Sequence, residues 1–151
     1  MGETYLLLKW LHVVSACIAF GSNVTHFFWI LSANRDPVNG ANILRVVKVI
    51  DDRLAVPAYV VTILCGATMW LWQWPFASSW IWASLVLSTI LTVMGISFGP
   101  FMKRWIRLAK DPSPENHPLL TLARRLTIWW GSIAVSVIVI LYMMVWKPAL
   151  W

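Results

Sequence analysis

The stretch YLLLKWLHVVSACIAFGSNVTHFFWIL, residues 5–31, decides the fold because it is long and apolar enough to cross a lipid bilayer as one helix. Ionisable groups inside such a span are costly, and they usually face a protein interior or a cofactor. This span nevertheless carries a polar or small residue at every third or fourth position, and such residues share one face of a helix. The stripe consists of Lys9, His12, Ala16, Ala19, Asn23 and His26. We therefore expect this face to point into a helical bundle.

Three further windows reach the length of a span, which is about 20 apolar residues. After Tyr5–Leu31 they are Leu54–Gln73, Trp80–Met102 and Ile128–Trp146. Charged residues make up only 12% of the chain, against about 25% in a soluble domain. The sequence thus predicts a single all-α domain over residues 1–151, an integral membrane four-helix bundle in up-down-up-down order.

Most basic residues lie in two connections, and their positions predict the orientation of the bundle. The positive-inside rule places such loops in the cytoplasm, so both termini are expected outside. The positive-inside rule thus accounts for the net charge of +6. The expected partner is the lipid bilayer, and a nucleic-acid partner is not expected. The basic residues of these connections are Arg35, Arg45, Lys48, Arg53, Lys103, Arg104, Arg107, Lys110, Arg124 and Arg125.

The connections and the small-residue faces predict how the helices pack. In the first connection, apolar residues from Ile43 to Ile50 alternate with Arg45 and Lys48, which is typical of a short amphipathic helix on the inner leaflet. The third span contains Gly95-Ile-Ser-Phe-Gly99, a GxxxG motif that lets another helix come close. We expect this face to turn into the bundle. A homo-oligomer or a larger membrane complex remains open.

The two histidines of the first span are candidate ligands. They are fourteen residues apart, or about 21 Å along a helix, so His12 lies in the outer half and His26 near the inner boundary. Neutral imidazole is a common axial ligand of haem iron, and Ala16 and Ala19 leave room for a flat macrocycle. The sequence therefore suggests one b-type haem with His12 as the metal ligand. Two histidines are too few for two bis-histidine haems.

Several alternatives stay open at this site. The second axial position is either vacant or filled by Met69, Met143, Lys147 or a dimer mate, and Lys9 either pairs with a haem propionate or extends to the interface. Each histidine could instead hydrogen-bond a hydroxyl or a carbonyl between helices. A membrane oxidoreductase is possible, but the chain contains no HExxH, P-loop or GxGxxG motif. The candidate cofactor-binding residues are Lys9, His12, Ala16, Ala19, Asn23, His26, Met69 and Met143.

Several segments resemble a group of small bacterial inner-membrane proteins of unknown function. They are Leu7-Leu8-Lys9-Trp10-Leu11-His12-Val13 with Phe20-Gly21, Asp52 with Pro57, Gly66, the segment Trp74–Trp80, and Trp146-Lys147-Pro148. The resemblance covers nearly the whole chain. It implies four membrane helices, without an established activity. We expect the chain to be a multi-pass protein of the bacterial inner (plasma) membrane.

More remotely, the opening is similar to the bacterial membrane protoporphyrinogen oxidase and to membrane proteins of the copper-resistance D type. The oxidase resemblance implies a haem held by a first-helix histidine, here His12. The lysine that the oxidase carries in a later helix has no counterpart within the third span, since Lys103 lies at its inner edge. The copper relatives imply Met and His ligands. We therefore expect a haem protein in electron transfer or haem handling, with an accessory subunit of a membrane complex or a copper or small-solute permease as alternatives.

Overall fold

The computed structural model describes residues 2–74, 76–108 and 117–149, and no strand occurs among them. A π-helical turn, Asp51–Ala55, joins the second and third helices. Four helical segments are long and apolar enough to cross a membrane. The predicted all-α fold with four spans is therefore confirmed. The helices are α1 (Glu3–Arg35), α2 (Pro37–Ile50), α3 (Val56–Gln73), α4 (Ser79–Leu108) and α5 (His117–Trp146).

α1 folds back on α2 and α3 as one long antiparallel hairpin. The chain reverses at Asp36, whose side chain accepts a hydrogen bond of 3.1 Å from the backbone N–H of Asn39. The two arms meet closely there, because a Cβ at Gly40 would lie 2.7 Å from the carbonyl oxygen of Ala33. The candidate span of this arm accordingly runs from Asn39 to Gln73.

The predicted short helix on the inner leaflet is therefore wrong in its placement. α2 is amphipathic, but it continues through the π-turn into α3 and its apolar face packs against other helices. Leu44 and Val47 are 0% and 1% exposed in the main hydrophobic core. Because other helices cover this face, α2 packs as part of the bundle and continues the helix of the second span.

The π-turn has a local cause in Pro57. Proline has no N–H to donate to the preceding turn, and its ring clashes with the carbonyl four residues earlier. A π-turn relieves such a clash by adding one residue to the turn. Here the backbone N–H of Val56 reaches the carbonyl of Asp51, five residues back.

We define the basic end of the bundle as the end holding the Asp36 turn, the last turns of α4 and the first turns of α5. There α1, α2, α4 and α5 form a closed ring, each packing against two others. Large apolar side chains fill its centre and form most of the main hydrophobic core. The core residues are Ile30, Ala33, Leu44, Val47, Leu91, Met102, Trp105, Leu126, Trp130, Ile133 and Val137.

The opposite end, which we call the terminal end, is packed differently. α3 packs along α1, whereas the described contacts between α3 and α4 are made by long aromatic side chains, with the ring of Trp70 5.2 Å from that of Trp82. The residues buried between helices here are small or polar. They are Ser15, Ala19, Ala58, Cys65, Ser79 and Ser84, together with Ile81.

The GxxxG face of α4 is not turned into a helix contact as expected. Gly95 is exposed, and a Cβ at Gly95 or Gly99 would meet nothing within 4 Å. Leu91 and Met102 lie on the same side of α4 and are buried in the core. These large side chains make the helix contacts and hold neighbouring backbones away from the glycines.

Candidate functional site

His12 lies in the interface between α1 and α3 at the terminal end. Its Nδ1 is 2.8 Å from the backbone carbonyl oxygen of Thr62. The ring rests against Gly66, where a Cβ would lie only 2.9 Å from the His12 Cε1. The imidazole therefore occupies space that exists because residue 66 has no side chain.

The contact with Thr62 selects the tautomer of His12. A carbonyl oxygen only accepts hydrogen bonds, so Nδ1 must carry the proton and donate it. Nε2 then holds a lone pair, and it makes no hydrogen bond to any residue that the structure describes. An Nδ1–H donated to a backbone carbonyl is the usual way in which proteins orient a metal-binding imidazole.

A small polar contact holds α1 and α3 in register beside His12. The hydroxyls of Thr62 and Ser15 are 2.8 Å apart, and the Ser15 hydroxyl also donates to the carbonyl of Leu11 at 2.7 Å. Ser15 is buried and lies one turn from His12. Since lipid does not drive helices together by burial alone, such contacts carry much of the association.

The other predicted residues of α1 divide by exposure along the stripe. Ala19 and Asn23 are buried, Ala16 is half-buried and Lys9 is exposed. The Asn23 amide donates to the carbonyl of Ala19 at 3.2 Å. The predicted inward direction of the stripe is thus borne out beyond its first turn.

The two candidate methionines belong to different helix pairs. Met69 is half-buried on α3, three residues beyond the Gly66 that His12 contacts. Met143 lies between α5 and α4, where the Ser84 hydroxyl donates to its sulfur at 3.8 Å. Lys147 is also engaged elsewhere, because its Nζ sits 4.4 Å from the centre of the Trp74 ring. The structure therefore places Met69, rather than Met143 or Lys147, on the helix pair of His12.

His26 is placed in the closed core of the basic end, apart from His12. It is 0% exposed and meets Trp130 edge-to-face, with ring centres 5.1 Å apart. Neither ring nitrogen has a hydrogen-bond partner among the described residues. Its burial leaves no open side for a macrocycle.

A cavity of about 230 Å³ opens at the terminal end. It is lined by Gly2, Thr4, Tyr5, Trp72 and Gln73, and none of the predicted site residues is among them. In the described part of the chain, no three His, Cys, Asp or Glu side chains come together as a metal site.

Sequence reasoning missed the residues of α3 that position His12. In the sequence, Gly66 stands out only as part of a family resemblance. A glycine within an apolar span is itself an indication of close approach by another group. The sequence does not show which group approaches.

Comparison with known families gives a match over most of the chain. A sequence model of a family described as "Predicted integral membrane protein (DUF2269)" matches residues 6–148. No curated protein and no solved structure matches the chain.

Proposed function

The chain belongs to the DUF2269 family of predicted integral membrane proteins, and from this premise we propose that it binds one b-type haem through His12, in electron transfer or haem handling. The proposal includes a multi-pass location in the bacterial inner membrane, with the basic end in the cytoplasm. The observation that carries it is the orientation of the His12 ring. Its Nδ1 is hydrogen-bonded to the carbonyl of Thr62, and its Nε2 makes no hydrogen bond to a described residue.

The donor set favours haem over a bare metal ion. Haem brings four nitrogen ligands of its own, so the protein needs to add only one or two axial ligands. A bare transition metal needs three or four protein ligands close together. Among the described residues His12 is a half-buried imidazole, and no such cluster occurs.

His12 would hold the haem, and its neighbours fit that role. The Thr62 carbonyl, by accepting the hydrogen bond from Nδ1, would keep the imidazole in one orientation with Nε2 available as the ligand. The half-buried Met69 would be a second residue to hold the haem, the small side chain of Ala16 lies on the same stripe, and the exposed Lys9 ammonium would meet a propionate. When bound, haem would supply one-electron redox chemistry; the chain supplies the ligand and holds the imidazole in one orientation.

The visible spectrum of the purified protein tests this proposal. The full chain would be expressed with haem supplied, extracted in a mild detergent and scanned for a Soret band. We expect the band in the wild type and its loss in His12→Ala. His26→Leu should keep the band, because His26 lies in the closed core. A colourless wild type, or a band that survives in His12→Ala, would overturn the proposal.

A second candidate function is that of a non-enzymatic accessory subunit or homo-oligomer. It is favoured by the open GxxxG face, since among the described residues a Cβ at Gly95 or Gly99 would meet nothing within 4 Å. Such a face commonly packs against another membrane helix. Light scattering in detergent would show a particle larger than one 17.3 kDa chain, and Gly95→Leu would reduce it to the monomer. A monodisperse wild-type monomer with no co-purifying partner would contradict this candidate. The copper or small-solute permease stays a prediction from the sequence.

A further inference from the structure

Charge at the basic end is divided unevenly between its two corners. Residues 35–53, the α1–α2 corner, contain four basic and three acidic residues, a net charge of +1. Lys48 and Asp52 form an ion pair there. The described α4–α5 corner, residues 103–108 and 117–125, contains five basic and no acidic residues, a net charge of +5. The positive-inside rule requires both connections to be basic, but it does not explain this difference.

The structure brings the basic residues of the α4–α5 corner to one end of a helix pair. α4 and α5 run antiparallel, with Met102 and Leu126 in the same buried core. Next to these two residues, five cationic side chains are exposed, and none forms an ion pair with a described acidic residue. They are Lys103, Arg104 and Arg107 on α4, and Arg124 and Arg125 on α5.

Exposed apolar side chains lie beside these cations, on the side of the spans. Phe101 is 43% exposed and Ile128 is 61% exposed, and each is within four residues of at least one of the cations. A soluble polyanion would make no contact with these apolar side chains. A phospholipid would contact both groups, because its phosphate lies at headgroup depth and its acyl chains lie immediately below.

We propose that the α4–α5 corner binds the headgroup of an anionic phospholipid, with Arg104, Arg107 and Arg125 as its principal contacts. Basic surfaces at the cytoplasmic ends of membrane helices attract such headgroups. The bound lipid would neutralise like charges that otherwise repel one another where two helices end together. This inference does not rest on the haem proposal.

Native mass spectrometry of the full chain in detergent tests the proposal, with phosphatidylglycerol and phosphatidylcholine as the added probes. We expect the wild type to bind phosphatidylglycerol more tightly. The double variant Arg104→Gln/Arg125→Gln should lose at least about tenfold in that affinity, since each headgroup–cation contact is worth about fivefold. The matched control is Arg35→Gln/Arg45→Gln at the α1–α2 corner, which removes two charges and should change affinity less than threefold.

Two further measurements keep the result interpretable. A reporter fused to the C terminus checks that each variant keeps its membrane orientation, and circular dichroism checks its helix content. If the double variant does not fold, Arg107→Gln alone should still lower the affinity by about fivefold. Equal binding of the two lipids, equal losses in both double variants, or displacement of the lipid by millimolar inorganic phosphate would overturn the proposal.

Discussion

At the basic end most of the side chains buried between helices are large and apolar, whereas at the terminal end most are small or polar. Ile30 and Leu44 are 0% exposed at the first, while Ser15 and Thr62 join α1 to α3 at the second through their hydroxyls. Both ends belong to the same continuous helices. The difference therefore reflects the surroundings of each end rather than a change of secondary structure.

Helix length explains the two kinds of packing. α1 has 33 residues and is about 50 Å long, against about 30 Å for the hydrocarbon core of a bilayer. From its concentration of basic residues we infer that the basic end is the part that extends into headgroups and water. There, burial of apolar surface stabilises a bundle as it does in a soluble protein. Within lipid that driving force is absent, and close contacts of small and polar residues take over.

The largest expected effect is the loss of an apolar side chain at the basic end. Leu44→Ala should lower the free energy of unfolding by about 2–4 kcal/mol, because it opens a cavity in a packed core. The matched control is Leu64→Ala on α3, where Leu64 is 62% exposed; it should change stability by less than about 0.5 kcal/mol. Denaturation in mixed micelles, followed by circular dichroism, measures both. Similar losses of unfolding free energy in the two variants would show that the basic end is not stabilised by a packed apolar core.

At the terminal end, the close approach of His12 to α3 should make Gly66 intolerant of a side chain. In Gly66→Ala the new Cβ would lie 2.9 Å from Cε1 of His12, so the ring must move and its bond to Thr62 weakens. We expect a loss of about 1–3 kcal/mol in unfolding free energy, as for other overpacked sites. Gly95→Ala is the control, since its Cβ would meet nothing within 4 Å. If Gly66→Ala unfolds at the same denaturant concentration as Gly95→Ala, the close contact is not present in the membrane protein.

The two histidines should respond in opposite directions to an apolar replacement. His26 is buried with no described hydrogen-bond partner, and an unpaired buried polar group costs free energy. His26→Leu should therefore raise the unfolding free energy by about 1 kcal/mol, whereas His12→Leu should lower it by about 1 kcal/mol through the lost bond to Thr62. The same micelle titration measures both, and a clear destabilisation by His26→Leu would show that the imidazole is hydrogen-bonded in the protein.

The smallest expected effect concerns the last turn at the terminal end. Lys147 has a left-handed backbone, with φ at 50°, and its ammonium lies over Trp74. Lys147→Met removes the charge and keeps most of the length, and should cost about 0.5 kcal/mol, the value of an exposed cation–π contact. Lys147→Arg should retain the contact and serve as the control. A loss as large in Lys147→Arg as in Lys147→Met would mean that the backbone, not the charge, sets the effect.

The class of fold and the faces of the helices could be predicted from the sequence, because hydropathy and three-to-four spacing are local properties of the chain. Residues 5–31 indicated both a span and its buried side, and Asn23 and His26 are indeed buried. Prediction was less accurate at the first connection. Whether an amphipathic segment such as α2 meets lipid or other helices depends on partners that are distant in sequence.

The sequence by itself determined four apolar spans, the concentration of basic residues at one end, and the placement of His12 on the polar stripe of α1. Only the tertiary structure decided that the Nδ1 of His12 meets the carbonyl of Thr62, that Gly66 makes room for the ring, and that His26 belongs to a separate, closed core. The physical reason is that these contacts join positions about fifty or a hundred residues apart in the chain. Their geometry depends on how whole helices pack, which no local pattern of residues specifies.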